Sequence, residues 1–466
     1  MDIKKISLTC MCILLAGSCR HNNPAESDLT VSEKNVTITA QPQPVMTMQL
    51  KPPFTLKQCI NIALTNNPDV ISSTFDAASA NAEKDIAASK SIPHLALTGN
   101  YRYFLDDQRL LAPRYANEPG VFSDDILTGN IVLSMPIFTK GRIKNEINAA
   151  RLLSQSREHT LVRTKEELVF NVSNVFYRIL TQKHIIESLI FSKNTMKKHK
   201  MRVNDLIAVQ KAAKVDLLRT EVRLAHIEYH IAAAKNTMSI LRRTLVNLLG
   251  ISTPQFKPEI TGDLQITDIN ADLSAGIKNA LNQRADYLSV KKMVLAQYQR
   301  LNIARSGHWP LVSVDASYGM RNAVNPSFYP AGTKETEDMG FIGVNARIPL
   351  FEGGAIKAKI RKEKARLLSM QAHLRKIRMR IYLDVETSVL NINSAQQRIT
   401  SAKTAIAQAT ESLRIEREKY ALGKGSITSV LDAQTEMLDA QTNYYNALAD
   451  YHNAIAQWHL ALGDNQ

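Results

Sequence analysis

Two long stretches without proline limit what this chain can fold into more than any other feature. The 16 prolines of the 466-residue sequence leave residues 137–253 and 350–466 free of proline, and each stretch is 117 residues long. Proline inside a helix removes a hydrogen-bond donor and clashes with the preceding turn. The sequence therefore keeps two windows of equal length open for very long helices, which argues against a compact alternating α/β enzyme fold.

The charge distribution argues against a nucleic-acid partner. The chain has 58 basic and 43 acidic residues and a formal net charge of +15, but both signs are mixed along the expected helices. A protein that binds a polyanion gathers its Lys and Arg on one surface or interleaves them with aromatic residues. Mixed charge of this kind is typical of a solvated helix face.

The N-terminus has the pattern of a secretory signal. Lys4 and Lys5 precede an apolar stretch at 6–16, and small residues at 16–18 lead to Cys19. This order of basic, apolar and small residues is that of a signal peptide. We expect residues 1–18 to be this signal, and with cysteines only at 10, 12, 19 and 59 we expect no disulfide framework.

Cys19 resembles the acylated cysteine of the bacterial lipobox. Ala16 stands where the usual leucine would be, and Leu15 lies one place earlier. The resemblance implies a covalent lipid on Cys19, and residues 19–53, rich in proline and small polar residues, are then a lipidated tether. The alternative is an ordinary cleaved signal followed by an incidental cysteine.

An internal repeat covers nearly the whole chain. Three pairs of matching segments show it: 63–64 with 280–281, 136–141 with 349–354, and 249–250 with 462–463. The offset changes from 217 to 213 between Tyr103 and Gly129, which indicates a loop four residues longer in the first half. A repeat of this length decides the architecture.

The repeat predicts the domain organisation. We expect a first repeat at 54–253, a linker at 254–270 and a second repeat at 271–466. The first repeat is predicted to contain helix 54–92, strands 94–104 and 127–138, and helices 140–210 and 214–250. The second is predicted to contain helix 271–307, strands 310–320 and 340–351, and helices 353–421 and 426–463.

The predicted strands alternate between apolar and polar residues. Leu95, Leu97 and Tyr101 alternate with Thr98 and Asn100, and the second repeat has the same pattern. Each strand is about 10 residues long, which is enough to cross a bilayer at a tilt. Two half-buried hairpins on a soluble core are the alternative, but the long polar loops at 105–126 and 321–339 favour transmembrane strands.

Four strands cannot form a closed barrel. An open sheet edge cannot face lipid because its backbone groups would be unpaired there. Membrane-spanning strands would therefore require an oligomer, and barrels of about eight or twelve strands correspond to a dimer or a trimer. The residues alone do not choose between the two.

The predicted helices carry the heptad spacing of side-by-side packing. The helix at 140–210 would be about 105 Å long at 1.5 Å per residue. In the final helix apolar residues follow alternating three- and four-residue spacing at 430, 433, 437, 440, 444, 447, 451, 454, 458 and 461. Such a repeat predicts knobs-into-holes packing.

These features together resemble the TolC-type outer-membrane efflux proteins. The residues that carry the resemblance are the lipobox-like start, the tandem halves, Pro349 to Gly354, Tyr420-Ala421-Leu422-Gly423 and Val430-Leu431-Asp432-Ala433-Gln434. The resemblance covers residues 54–463. It implies a mainly α protein with transmembrane β-strands, in which a homotrimer forms a twelve-stranded outer-membrane β-barrel and a periplasmic α-barrel of long coiled-coil helices.

The implied function is conduction. The resemblance implies a passive, lipid-anchored exit duct in the outer membrane of a Gram-negative bacterium, with an inner-membrane efflux pump of the resistance-nodulation-division type and a periplasmic adaptor as partners. The alternatives are a type I protein secretion duct and a tethered periplasmic coiled-coil protein without a pore.

The resemblance also implies a periplasmic gate. Asp432 matches an aspartate of the narrowest ring, and Tyr420 matches a tyrosine of the constriction network. Ser429 stands where some members have a second aspartate, and Gly425 where some have a gating arginine, so the inherited gate is incomplete. Asp432 could instead be a solvated carboxylate. The helix tips at 204–216 and 420–430 are the implied adaptor-docking surface.

No pattern in the sequence indicates catalysis. His226 and His230 have metal-ligand spacing, but the residues between them do not form a metalloprotease motif. We found no glycine-rich phosphate loop, nucleophile elbow or paired carboxylates. The prediction is a protein that is not an enzyme and that has no metal site and no cofactor besides the expected lipid.

Overall fold

The computed structural model describes residues 53–252, 258–266, 269 and 271–464. The predicted signal peptide, Cys19 and nearly all of the predicted tether lie outside the described residues, as does part of the predicted linker. The elements of the first repeat are α1 (Leu56–Asn66), α2 (Pro68–Ser89), β1 (His94–Arg109), β2 (Phe122–Phe138), α3 (Arg142–Ala208) and α4 (Lys214–Leu248). Those of the second are α5 (Leu273–Gln283), α6 (Ala285–Ser306), β3 (Leu311–Ala323), β4 (Pro326–Phe328), β5 (Thr336–Arg347), α7 (Ala355–Ala421) and α8 (Ile427–Leu462).

Each helix predicted before the strands is divided in two. In the first repeat the chain leaves helical geometry at Asn67, which caps α2 with Pro68 as its first residue. In the second repeat the same break occurs at Arg284 without a proline. The predictions of one helix at 54–92 and one at 271–307 are therefore wrong, because an N-cap residue in extended geometry starts a new helix at each site.

The strands also differ from their predicted bounds. β1 continues to Arg109 and β2 begins at Phe122, so the two strands take in residues 105–109 and 122–126 of the segment predicted as a long loop. β5 ends at Arg347 and not at residue 351, and Pro349 follows it. Proline has no backbone N–H to donate to a neighbouring strand, and at the equivalent Pro136 inside β2 the register shifts between Pro136 and Phe138.

The long strands form one antiparallel sheet in the order β1-β2-β3-β5, and β4 pairs with β2. The register places Leu97, Ile131, Tyr318 and Gly340 in one row across the sheet. Another row, three positions further along β1, holds the polar residues Asn100, Thr128 and Arg321 on the other face. The predicted alternation is thus present in three dimensions, with Phe341 as an apolar residue on the polar face.

The apolar face of this sheet has no cover within the described chain. Leu97 is 81% exposed and Ile342 is 85% exposed. β1 and β5 lie at the two edges of the sheet. A single chain therefore has both an exposed apolar face and two open strand edges. Each of these features is typical of a surface that contacts another molecule.

The two longest helices begin in the same way and have the same length. Gly141 and Gly354, which are equivalent in the repeat, precede α3 and α7 with φ of 75° and 83°. Each helix has 67 residues, which corresponds to about 100 Å. None of the described helices combines the length and the apolar character needed to cross a membrane.

The predicted heptad seam of the final helix is a buried seam in the structure. α8 packs against α7 and against α3. Eight of its ten predicted seam positions are buried: 430, 433, 440, 447, 451, 454, 458 and 461. The small alanine side chains at these positions allow the helix backbones to approach closely, which favours tight packing of the long helices.

Candidate functional site at the helix tips

The predicted gate lies where each long helix reverses into a shorter one. Gly423 follows α7 with φ of 70°, and its N–H donates to the carbonyl of Tyr420 at 3.1 Å. The next N–H, of Lys424, donates to the carbonyl of Lys419 at 2.9 Å. These two bonds form a Schellman motif, which ends a helix by satisfying its last carbonyls.

The same turn ends α3 with glutamine in place of glycine. Gln210, equivalent to Gly423, has φ of 58°, and Lys211 N–H donates to the carbonyl of Leu206 at 2.8 Å. Both tips of the chain are therefore built on one backbone design. Gln210 therefore adopts the left-handed backbone conformation, in which the Cβ of a residue other than glycine lies too close to the following carbonyl oxygen.

Tyr420 is buried at the second tip. Its side chain is 9% exposed, and it belongs to a cluster with Val203, Leu413, Ile427, Val430 and Ala433. Burial raises the pKa of its phenol, and the negative charge of Asp216 adds to the effect. Its hydroxyl has no hydrogen-bond partner among the described residues.

His199 is a neighbour of Tyr420 that sequence reasoning missed. The two rings lie 5.5 Å apart, centroid to centroid. Burial lowers the pKa of His199, and the positive charges of Arg417 and Arg202 lower it further. The imidazole is therefore held in its neutral form beside the tyrosine.

Ser429 takes part in the cap of α8. Ser426 is the N-cap residue, and its hydroxyl oxygen accepts a hydrogen bond from the Ser429 N–H at 3.1 Å. The two hydroxyl groups lie 3.0 Å apart. Ser429 therefore helps to start the helix that carries the predicted gate aspartate.

Asp432 is exposed on α8, whereas its neighbour Ala433 is buried beside Tyr420. Within one chain the structure therefore does not bring the Asp432 carboxylate and the Tyr420 phenol together on one surface. An arginine at position 425 does not fit this turn without a shift, because a Cβ on Gly425 would lie 3.0 Å from the Cβ of Lys419.

Two arginines of α4 join the tip of α8, and sequence reasoning missed both. Arg219 donates from Nη1 to the Thr428 hydroxyl at 3.0 Å. Arg223 donates to the hydroxyl of Thr435. Arg219 and Arg223 are four residues apart in α4, and Thr428 and Thr435 are seven residues apart in α8. Both spacings place the two residues on one face of their helix, and both can be read in the sequence.

A further polar chain crosses the buried seam behind the tip. Arg417 of α7 donates from Nη2 to Gln434 Oε1 at 2.6 Å. Gln434 of α8 donates in turn from Nε2 to the hydroxyl of Ser192 in α3 at 3.1 Å. Three helices are thereby tied together next to the predicted gate, and a buried polar chain of this kind specifies their register.

The histidine pair considered as a metal site lies apart from this region. His226 and His230 are both exposed on α4. In the part of the chain that the structure describes, no three His, Cys, Asp or Glu side chains form a group that could hold a metal ion.

Comparisons with known proteins agree with this architecture. The profile of the family described as outer membrane efflux protein matches residues 59–251 and 276–464, one match in each repeat. Outer membrane protein TolC of Salmonella enteritidis is 21% identical over 385 residues, which are 81% of this chain and 75% of that protein. Proteases secretion protein PrtF of Dickeya chrysanthemi is 25% identical over 234 residues, 49% of each chain.

The fold is also that of a solved outer membrane protein. The outer membrane protein VceC from Vibrio cholerae superposes with a TM-score of 0.75 at 18% sequence identity, and the match covers 88% of this chain and 96% of that one. The predicted mainly α fold with a β-sheet part and the resemblance to TolC-type proteins are confirmed. Because the family profile matches most of both repeats, this chain belongs to the outer membrane efflux protein family.

Proposed function

We propose that this protein is the outer-membrane channel of a tripartite efflux system. It conducts substrates passively from an inner-membrane pump and a periplasmic adaptor to the exterior. The proposal rests on one structural observation. Within one chain, strands of a sheet with an exposed apolar face are followed by two helices of 67 residues each. Members of this family are channel proteins, and we assign this chain no catalytic activity and no cofactor.

The functional form that we propose is a homotrimer. β1 and β5 have one paired neighbour each within the described chain, so each chain leaves two strand edges open. Strand edges cannot face lipid unpaired. Pairing β1 of one copy with β5 of the next would close a barrel of twelve long strands and would turn the apolar rows toward the membrane.

A lipid on Cys19 would anchor the chain to the outer membrane. Residues 1–18 would be removed as a signal peptide, and residues 19–53 would link the lipidated cysteine to α1. Intact-mass measurement of the purified mature protein tests this. A chain that begins at Cys19 with added acyl mass supports the anchor, and a Cys19 start without lipid mass contradicts it.

The helix tips would bind the adaptor and form the gate. Residues 204–216 and 420–430 are the proposed docking surface, and Asp432, Tyr420 and Ser429 are the proposed gate residues. Exposed Asp432 carboxylates from three copies would attract cations at the narrowest ring. Cysteines placed in the two tips and crosslinked to a candidate adaptor test the docking surface.

The main experiment combines single-channel conductance in planar bilayers with the oligomer mass in detergent. Pores formed by a trimer support the channel. A pore-free protein would contradict it and would support the tethered coiled-coil alternative.

Asp432→Ala should change conductance or cation block, because it removes a charge from the narrowest ring. The matched control is Asp439→Ala, which removes an exposed carboxylate one heptad further along the same helix. Equal currents and block in wild type and Asp432→Ala would contradict the gate assignment.

A type I protein secretion duct is the second candidate function. The match to a protein named for protease secretion favours it, although that match spans half of each chain. Deleting the gene and measuring both drug susceptibility and the secreted proteins separates the two functions. Unchanged susceptibility with a lost secreted protein would support the secretion duct.

A further inference from the structure

A groove outside the helix tips has the size of a small-molecule site. It lies between α1, α3 and α8 and has a volume of about 440 Å³. Ligand sites in proteins typically have volumes of about 300–1,000 Å³. None of the proposed gate or docking residues lines it.

Most of the groove surface is apolar. α1 contributes Leu56, Ile60 and Leu64, which are spaced by four residues and therefore lie on one helix face. Phe170 of α3 and Ile455 of α8 face the groove from the other two helices. Such a lining suits the hydrocarbon or aromatic body of a ligand.

Glu166 of α3 brings an incompletely paired carboxylate to this lining. The residue is 7% exposed, and its Oε2 lies 3.4 Å from Arg163 Nη1. Arg163 also donates to Glu167 and to the carbonyl of Leu460, so its positive charge is shared. Glu166 Oε1 has no hydrogen-bond partner among the described residues.

Burial has the largest effect on the Glu166 carboxyl. It raises the pKa of this group, while the nearby Arg163 guanidinium acts in the opposite direction. Burial of a carboxylate whose oxygen lacks a hydrogen-bond partner lowers the stability of the folded protein. A cationic donor that reaches this oxygen would remove part of that cost.

His452 of α8 contributes a second free acceptor. It is 7% exposed, and its ring stacks on Tyr177 with centroids 4.3 Å apart. A ring nitrogen donates to the Leu264 carbonyl, while Nε2 has no partner among the described residues. Burial lowers the pKa of His452 and keeps the ring neutral, so the free Nε2 is an acceptor.

We propose that this groove binds an elongated cationic amphiphile, with an ammonium group at Glu166, an apolar body along α1 and a second donor group at His452. Glu166 and the Tyr177 that stacks on His452 are 11 residues apart in α3, or roughly 16 Å along the helix. The lining also includes Lys165, Asp464 and His459, whose Nδ1 likewise lacks a hydrogen-bond partner among the described residues. Two carboxyl groups, those of Glu166 and Asp464, against one ammonium, that of Lys165, favour an amine over a carboxylate in this lining. This binding site is independent of the channel function proposed above.

The test measures binding of 1,12-diaminododecane to the full-length protein in lipid nanodiscs by titration calorimetry. The diol and the dicarboxylate of the same carbon skeleton serve as ligand controls. We expect the diamine to bind and the dicarboxylate to bind at least about tenfold more weakly, because the dicarboxylate would add a second negative charge next to Glu166. Failure of the diamine to bind wild type, or equal binding of diamine and dicarboxylate, would overturn the proposal.

Variants locate the site. Glu166→Gln should weaken amine binding at least about tenfold, which corresponds to about 1.4 kcal/mol. Glu158→Gln, an exposed carboxylate two turns earlier on α3 that does not line the groove, should leave the affinity unchanged. Ala456→Phe places a ring in the groove and should abolish binding even if Glu166→Gln does not fold. Wild-type affinity in either the Glu166 or the Ala456 variant would refute the assignment.

Discussion

Arg284 donates from Nη2 to the Asp384 carboxylate at 2.7 Å, and this bond joins the start of α6 to α7. The guanidinium is 2% exposed and also donates from Nε to Asp286 at 2.9 Å. The equivalent residue of the first repeat is Asn67, a neutral N-cap that donates to the carbonyl of Leu248 at 3.0 Å. The second repeat therefore uses a buried charge where the first uses an amide.

Arg284→Ala should destabilise the protein strongly, because it leaves Asp286 and Asp384 without their shared cation. Removing one partner of a buried ion pair costs about 3 kcal/mol or more. The melting temperature in detergent measures the effect. Arg380→Ala is the control, because Arg380 is exposed and lies 3.9 Å from the same Asp384. Equal melting temperatures for the two variants would contradict the importance of the buried pair.

Gly463 ends α8 where the backbone of Arg284 passes closely. Its φ is 74°, and a Cβ on it would lie 2.6 Å from the Arg284 Cα. Gly332 has a similar φ of 83°, but no atom of the described residues lies within 4 Å of an added Cβ. We expect Gly332→Ala to cost about 1 kcal/mol from the left-handed backbone alone, and Gly463→Ala to cost about 2 kcal/mol more from the steric clash. Thermal unfolding of the two variants measures the difference, and equal losses would refute the close contact.

Gln210 and Gly423 allow a reciprocal exchange at the two equivalent turns. Gln210→Gly should stabilise the protein by about 1 kcal/mol, because glycine adopts φ of 58° without steric cost. Gly423→Gln should destabilise it by a similar amount, since no atom of the described residues lies within 4 Å of an added Cβ and only the backbone conformation opposes a side chain. Melting temperatures check both changes. Shifts of the same sign in the two variants would contradict the explanation.

Arg219 and Arg223 should hold the helix tip in place. The double variant Arg219→Ala/Arg223→Ala removes the hydrogen bonds to Thr428 and Thr435, so α8 should move more freely and the single-channel conductance should rise. Arg243→Ala is the control, because Arg243 is exposed on the same helix away from the tip. A double variant with wild-type conductance would show that these bonds do not restrain the channel.

The free energy of unfolding should fall as the pH falls, because His452 is buried in its neutral form. Burial lowers its pKa in the folded protein, so the unfolded chain binds a proton at a higher pH than the folded chain does. The stabilisation is present above the ordinary histidine pKa of about 6.5 and is lost as the pH falls through the lowered value. His452→Gln should therefore lose less stability than wild type between about pH 8 and pH 5. His373→Gln, which changes an exposed histidine, should behave like wild type.

The repeat and the strand pattern could be predicted because both depend on local periodicity. The absence of proline allowed long helices, and alternation with period two placed Leu97 and Tyr318 on one sheet face. The division at Asn67 had a local signal, a capping residue followed by Pro68, whereas the division at Arg284 depends on a contact 100 residues away. Such contacts leave no periodic signal in the sequence.

The candidate gate could be predicted only in part. Motif resemblance named Tyr420, Ser429 and Asp432, but it did not indicate that Tyr420 would lie beside His199 in a buried cluster. It also gave no sign of the bonds from Arg219 and Arg223 to α8. Those contacts depend on how α3, α4 and α8 pack against one another.

The sequence by itself determined the tandem repeat, the long helices and the strands with one apolar and one polar face, because helix and strand periodicity are properties of neighbouring residues. Only the tertiary structure decided which polar groups are buried and which of them lack partners. Glu166 and His452 are separated by 286 positions in the chain, yet they line one groove. Their free acceptor atoms result from the packing of α1, α3 and α8, because burial removes the water that would otherwise satisfy them.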